Sequence, residues 1–199
     1  VVRQRNTNEY RLLEKRINEL EESLIKEFIS KDTLDMSKKE IELARAYRLL
    51  VHAELEAYVE SISKKLLNKA IQKWRTKKKA NLTIVSLLAH FKKIEKDDSL
   101  DTKINKIVND FSIEIIKKNH GIKAKNISDM FVPLGIDKGD IDAALLAALD
   151  SFGANRGETA HNSGKVQNPI DIRTEVENVR FILSGIIDIE EKVKEILKS

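Results

Sequence analysis

Apolar residues recur every three or four positions along most of the chain, with polar residues between them, the period of helices half sunk in a core. Leu13, Ile17, Leu20, Leu24 and Phe28 form the first stripe and predict a helix from about Thr7 to Ile29. Asn6-x-x-Glu9 and Ser37-x-x-Glu40 both have capping-box spacing, in which a short polar side chain and a Glu satisfy each other's free backbone N–H groups. From Ser37 a second stripe runs through Ile41, Ala44, Arg48, Val51, Leu55, Tyr58, Ile62, Leu66, Ala70 and Trp74, holding helical period to about Lys79. That is an unusually long helix, with no Pro or Gly inside it to mark a kink.

Asn81 is positioned to cap a shorter helix to about Ile94, and Lys96 to Ser99 reads as a polar break that caps the next. In that next helix Ile104, Ile107, Val108, Phe111, Ile115 and Ile116 face inward. Asn119-His120-Gly121 ends it, with Gly in the usual terminating place. Asn126 opens a brief helix that Pro133 limits, and Asp137 to Asp140 is a turn. Ile141 to Phe152 is apolar and alanine-rich, and from Pro169 a last helix carries Ile172, Val176, Val179, Ile182, Leu183, Ile186, Ile189, Val193 and Ile196. No segment makes a credible sheet. The prediction is an all-α antiparallel helical bundle, a single domain over residues 1–199 with long N-terminal helices.

Composition fits that picture: 41% hydrophobic residues support a packed core, and 34% charged residues with only two prolines suit long solvated helices. There are no cysteines, which excludes disulfides and zinc-thiolate sites and fits a reducing cytoplasm. No apolar run approaches a membrane span, and the first residues lack the apolar core of a signal peptide. A cytoplasmic protein with no membrane partner is expected. Net charge is only +4, so any contact with nucleic acid must come from local clustering. Lys77, Lys78 and Lys79, with Lys73 and Arg75, close the long helix; they suit its dipole and offer a weak RNA-backbone contact.

Ser151 to Gly164, SFGANRGETAHNSG, stands apart from the rest. Gly153, Gly157 and Gly164 fall within twelve residues, and because Gly is costly inside a helix they mark backbone that must turn or approach something closely. Among them lie Arg156, a fixed forked cation suited to phosphate, and His161, which exchanges a proton near pH 7. Together they are the minimum kit for cutting RNA without a metal; the plain alternative is a connector whose Arg and His cap and solvate. Five steps along a straight helix leave the two roughly 140° apart, which favours a groove built from two copies over one protomer acting alone.

The pattern Arg156-Gly157-Glu158-Thr159-Ala160-His161 resembles the Arg-x(4 to 6)-His signature of the HEPN superfamily, in the RG-x-x-AH form of its RiboL-PSP-HEPN group. His52-Ala53-Glu54-Leu55-Glu56 is similar to that group's "HAE-x-E" helix, and Asn119-His120-Gly121-Ile122-Lys123, with Asn126 and Pro133-Leu134-Gly135-Ile136, fits it too. The resemblance covers roughly 37–187, which leaves 1–36 as a helical extension. It implies a homodimer with a shared cleft, in which His161 acts as general base or acid during attack of an RNA 2′-hydroxyl and Arg156 holds the phosphate. It also implies a toxin, phage-defence or RNA-processing setting, with an antitoxin or defence protein as partner. Many active members follow the Arg with Asn, Asp or His; here Gly157 stands there, and Asn155 is the nearest substitute amide.

Glu158, one turn before His161, can orient its imidazole or cap the local helix. His52 and Glu56 form a polar ridge with Arg48 on the long helix, either a network tethering it to the Arg–His segment or part of the cleft itself. His120 is read as a capping residue and His90 is given no role. Four scattered histidines carry no metal-ligand spacing, and no phosphate-binding glycine loop is present, so neither metal nor cofactor is expected. The rival readings are a non-catalytic HEPN module that binds RNA, a nucleotide or a protein, and a structural helical adaptor.

Overall fold

The computed structural model describes residues 7–91, 98–161 and 170–198, and of His161 the backbone alone. Among these residues the chain forms seven α-helices and no strand, the all-α fold that the periodicity predicts. They are α1 (Asn8–Leu24), α2 (Lys38–Lys77), α3 (Leu82–His90), α4 (Leu100–Asp110), α5 (Ala124–Phe131), α6 (Ala143–His161) and α7 (Ile172–Lys198).

The 40-residue α2 is the axis of the fold. At 1.5 Å per residue it is about 60 Å long. It begins at the expected capping box: Ser37 Oγ accepts from the Glu40 amide at 3.3 Å, and Glu40 returns a carboxylate to the Ser37 amide at 2.7 Å. Beyond its first turns the buried residues come as adjacent pairs, Val51 with His52, Tyr58 with Val59, Leu66 with Leu67 and Ala70 with Ile71. One stripe would bury one helix face. These pairs bury a much wider one, because α1, α6 and α7 all pack along α2.

Cross-helix contacts fix the directions. Glu9 meets Lys65 and Arg16 meets Glu54, so α1 runs antiparallel to α2. Arg48 meets Glu175 and Lys73 reaches the Leu197 carbonyl, so α7 runs parallel to α2. Tyr10 donates to the Leu183 carbonyl at 3.2 Å, seating α1 on α7. The buried side chains from Tyr10 to Val193 form one large cluster, each fully buried Leu, Ile or Phe contributing about 1.5–3 kcal/mol. Ala70, Trp74, Ile84 and Ile104 form a small second cluster at the far end of α2.

Several boundaries differ from expectation, each for a local reason. Thr7 caps α1, accepting from the Tyr10 amide; Asn6 lies outside the described residues. α1 stops at Leu24, and a 3₁₀ turn over Lys26–Phe28 replaces the expected continuation to Ile29, which lets both Ile25 and Phe28 enter the core. α2 ends at Lys77, since Lys78 adopts a left-handed conformation (φ 49°). α3 ends at His90 because Phe91 is extended and packs against the core; Ile94 lies outside the described residues. After α4 the chain widens into a π turn over Phe111–Ile116, carrying those two residues inward while Val108 and Ile115 stay half-buried.

The largest correction concerns the glycine cluster. α6 runs unbroken through Gly153 and Gly157 to His161, so no turn occurs at either position. Close approach, the other expectation, is met at Gly153, where a Cβ would lie 2.9 Å from the Lys123 Cγ. Above Gly157 a Cβ would meet nothing within 4 Å. Gly164 and Pro169 lie outside the described residues, and Asp171 caps α7 by accepting from the amides of Arg173 and Thr174.

Candidate active site

A cleft of about 500 Å³ opens where α2, the segment before α5 and the second half of α6 meet. Glu56 and His52 line it from α2, His120 and Lys123 from the segment before α5, and Arg156 from α6. Three stretches far apart in sequence thus converge on Arg156.

The segment before α5 is held by polar bonds that sequence reasoning placed differently. Asn126 does not open α5 but sits at its third residue and caps it from inside; its Oδ1 accepts from the Lys123 amide, and its Nδ2 donates to the His120 carbonyl. The α5 terminus is capped from another helix, the Ala124 amide donating to Asp150 of α6 at 2.8 Å. Gly121, with φ +114°, makes the reversal that only glycine adopts freely, and its amide donates to Glu56 Oε1 at 2.6 Å. The Asn119–Lys123 loop is therefore tied to both α2 and α6.

On α2 the Arg48, His52 and Glu56 ridge divides its work. Arg48 Nε and Nη2 donate to the two oxygens of buried Glu175 at 2.6 and 2.7 Å, a forked pair joining α2 to α7. Its Nη1 donates to the Thr159 hydroxyl at 3.2 Å, which in turn donates to the Asn155 carbonyl at 2.8 Å. That chain of bonds grips the turn of α6 carrying Arg156. Arg48 is the tether, then, whereas His52 and Glu56 belong to the cleft wall. Glu175 has no motif around it; only its placement on a buried stripe of α7 marks it as paired.

His52 is 3% exposed, its ring stacked on Phe152 at 6.3 Å. Its Nδ1 makes no hydrogen bond to protein and lies 3.6 Å from the nearer Glu56 oxygen, beyond bonding distance. Burial lowers its pKa, and the nearby Arg156 charge lowers it further against the pull of Glu56, so the ring is neutral at pH 7. Arg156 is half-buried, and its Nε is buried without a protein partner. A guanidinium with an unused donor at a cleft wall is equipped to take an anion.

Asn155 and Glu158 are half-buried on α6; Glu158 lies one turn before His161, whose side chain is outside the described residues. Because α6 is regular here, Arg156 and His161 are about 7.5 Å apart along the axis and about 140° around it. His120, read from sequence as a cap, instead presents an exposed side chain at the cleft with Nδ1 3.9 Å from Glu56. The signal was there: it stands in the NHG-x-K segment, beside Lys123, which also lines the cleft.

Lys77, Lys78 and Lys79 are not brought to this site. They lie about 37 Å or more along α2 from His52. Lys78 donates to Asp101 at 2.7 and 2.8 Å and sits over the Trp74 ring, so part of that cluster is engaged in closing the bundle end. No helix among the described residues is long and apolar enough to cross a membrane.

No curated protein and no solved structure matches the chain. The family model described as RiboL-PSP-HEPN matches residues 11–195, which takes in all three segments of the cleft and most of α1 as well. The chain belongs to the RiboL-PSP-HEPN family.

Proposed function

We propose that this protein is a cytoplasmic, metal-independent endoribonuclease of HEPN type whose cleft is completed by a second copy of the chain. The observation that carries the reading is Arg156, placed at the cleft wall with a buried, unpartnered guanidinium nitrogen and with His161 on the same helix. In the proposed reaction an imidazole removes the proton of an RNA 2′-hydroxyl, and its oxygen attacks the adjacent phosphorus. The bond to the 5′-oxygen breaks, and a second imidazole returns a proton to that leaving group. Products carry a 2′,3′-cyclic phosphate and a 5′-hydroxyl. Arg156 holds the phosphate and balances the charge that builds on its oxygens. Two copies of His161, one per protomer, supply the base and the acid.

A second reading has one specific observation behind it. Gly157 follows the Arg where many active members carry a polar residue, and the space above it is open. On that reading the cleft binds RNA, a nucleotide or a protein without cutting. In either case, the family resemblance supports a toxin–antitoxin, phage-defence or RNA-processing setting with an antitoxin or defence protein as partner. The test is cleavage of varied RNAs in excess EDTA, with end-group analysis of the products. Cleavage to cyclic phosphate ends supports the enzyme; intact RNA bound equally well by wild type and His161→Ala removes it.

A further inference from the structure

Glu56, Glu60 and His120 each offer a ligand atom, and these atoms lie within 4.8 Å of one another. We propose that they form a site for a single zinc-like divalent ion, bridging α2 to the Asn119–Lys123 loop at the edge of the cleft. No spacing in the sequence could announce it, because the histidine comes from a segment 60 residues beyond the second carboxylate.

The geometry is close to what such an ion requires. Zinc bonds to imidazole nitrogen and carboxylate oxygen are about 2.0–2.2 Å, so tetrahedral ligand atoms stand about 3.4 Å apart. His120 Nδ1 is already 3.9 Å from Glu56 Oε1, and its side chain is 75% exposed, free to swing the remaining distance. Glu56 is held in place as metal-binding carboxylates usually are: the Gly121 amide grips Oε1 at 2.6 Å and leaves Oε2 open. Glu60, one helical turn on, shares its carboxylate with Lys64 at 2.8 Å, a solvent-facing pair that gives way at little cost.

A second observation points to the same place. His52, 3% exposed, lies with a buried, unpartnered Nδ1 3.6 Å from Glu56 Oε2. A buried nitrogen is costly without a partner, and the Glu56 carboxylate is the group within reach of it. With Glu56 ligating an ion, His52 is placed as the outer partner that orients the ligand. The donor set decides the ion: one imidazole and two carboxylates suit zinc and its first-row neighbours, whereas magnesium and calcium prefer oxygen alone. With three protein ligands, the fourth position falls to water.

The ion takes no part in the phosphate chemistry proposed above, and the two ideas stand or fall separately. Calorimetric titration of the 199-residue chain with ZnCl₂ in metal-free buffer tests this one without any activity assay. The expected result is one site per chain with a Kd of about 10 μM or tighter. His120→Ala and Glu60→Gln should each weaken it at least about tenfold, and the exposed control His90→Ala should not. Absence of a site in that range, or wild-type affinity in both His120→Ala and Glu60→Gln, overturns the proposal. Magnesium chloride binding as tightly as zinc overturns it too.

Discussion

The two ends of α2 solve opposite problems. At its C-terminal end the Trp74 indole donates to Asp101, Lys78 pairs with the same carboxylate, and Ala70, Ile84 and Ile104 fill the space beneath. The indole and ammonium there are matched within the protein, as a bundle end that only has to stay closed requires, and among the described residues there only the small Thr83 hydroxyl is buried without a partner. Twenty-odd residues earlier the same helix faces the cleft, and there the matching is left incomplete: His52 Nδ1 and Arg156 Nε are both buried without a protein partner. The other buried groups without a partner among the described residues are hydroxyls, of Tyr47, Tyr58, Ser63, Thr83 and Ser128, whereas both unpartnered nitrogens stand at the cleft, where what binds can meet them. The basic residues tell the same story. Lys78 looks from sequence like part of an RNA-binding run but is engaged in structure, while Arg156 holds a donor in reserve.

This contrast can be broken by separating chemistry from stability. The largest expected effect is on catalysis: His161→Ala lowers the rate of RNA cleavage by about 10²- to 10⁴-fold while the thermal midpoint barely moves. Single-turnover cleavage beside a melting curve checks both. Next comes the joint between the two functions. Glu175→Ala leaves the Arg48 guanidinium buried and unpaired and costs about 3–5 kcal/mol of stability, read from denaturant unfolding. Because Arg48 also holds the turn carrying Arg156, the refolded fraction should cleave more slowly per molecule.

At the other end, Ile84→Ala opens a cavity in the small cluster and costs about 2–4 kcal/mol, yet activity per folded molecule stays at the wild-type level. Loss of activity in that variant would show the two ends to be coupled and the contrast to be false. The smallest effect sharpens the comparison at the N-terminal cap. Glu40 is held down to about 2 by Lys31 first, then by the Ser37 amide and hydroxyl. A depressed carboxylate stabilises the fold above its ordinary pKa and loses that contribution as pH falls toward 2, so Glu40→Gln should flatten acid unfolding between those limits without touching cleavage.

Much of the fold was legible in the sequence because helical period and capping residues are local signals. Ser37, Asn81 and Ser99 cap the helices they were expected to cap. What misled was glycine. Gly153 and Gly157 read as backbone that must turn or approach something closely; tertiary packing carries α6 straight through both, and the close approach holds at Gly153 alone of the two, against the Lys123 side chain. Asn126 misled in the same way: its side chain does cap the chain, but from inside the helix it was thought to open. The cleft was half legible. Arg156, His52 and Glu56 stand in motifs, whereas the partnership of Arg48 with Glu175 joins residues 127 apart, and no local pattern encodes that pairing.

The placement of α7 sets when the protein can exist at all. Synthesis delivers α1 and α2 first, but Tyr10 waits for the Leu183 carbonyl, Thr7 for Glu190, and Arg48 for Glu175. A nascent chain ending at residue 171 would carry Arg156 and His161 already, with the flank of α2 bare and Arg48 uncompensated. The groups of the cleft are therefore made before the scaffold that aims them. Their wall can form from α2, α5 and α6, but Arg48, which grips the turn carrying Arg156, finds its Glu175 partner only when α7 docks.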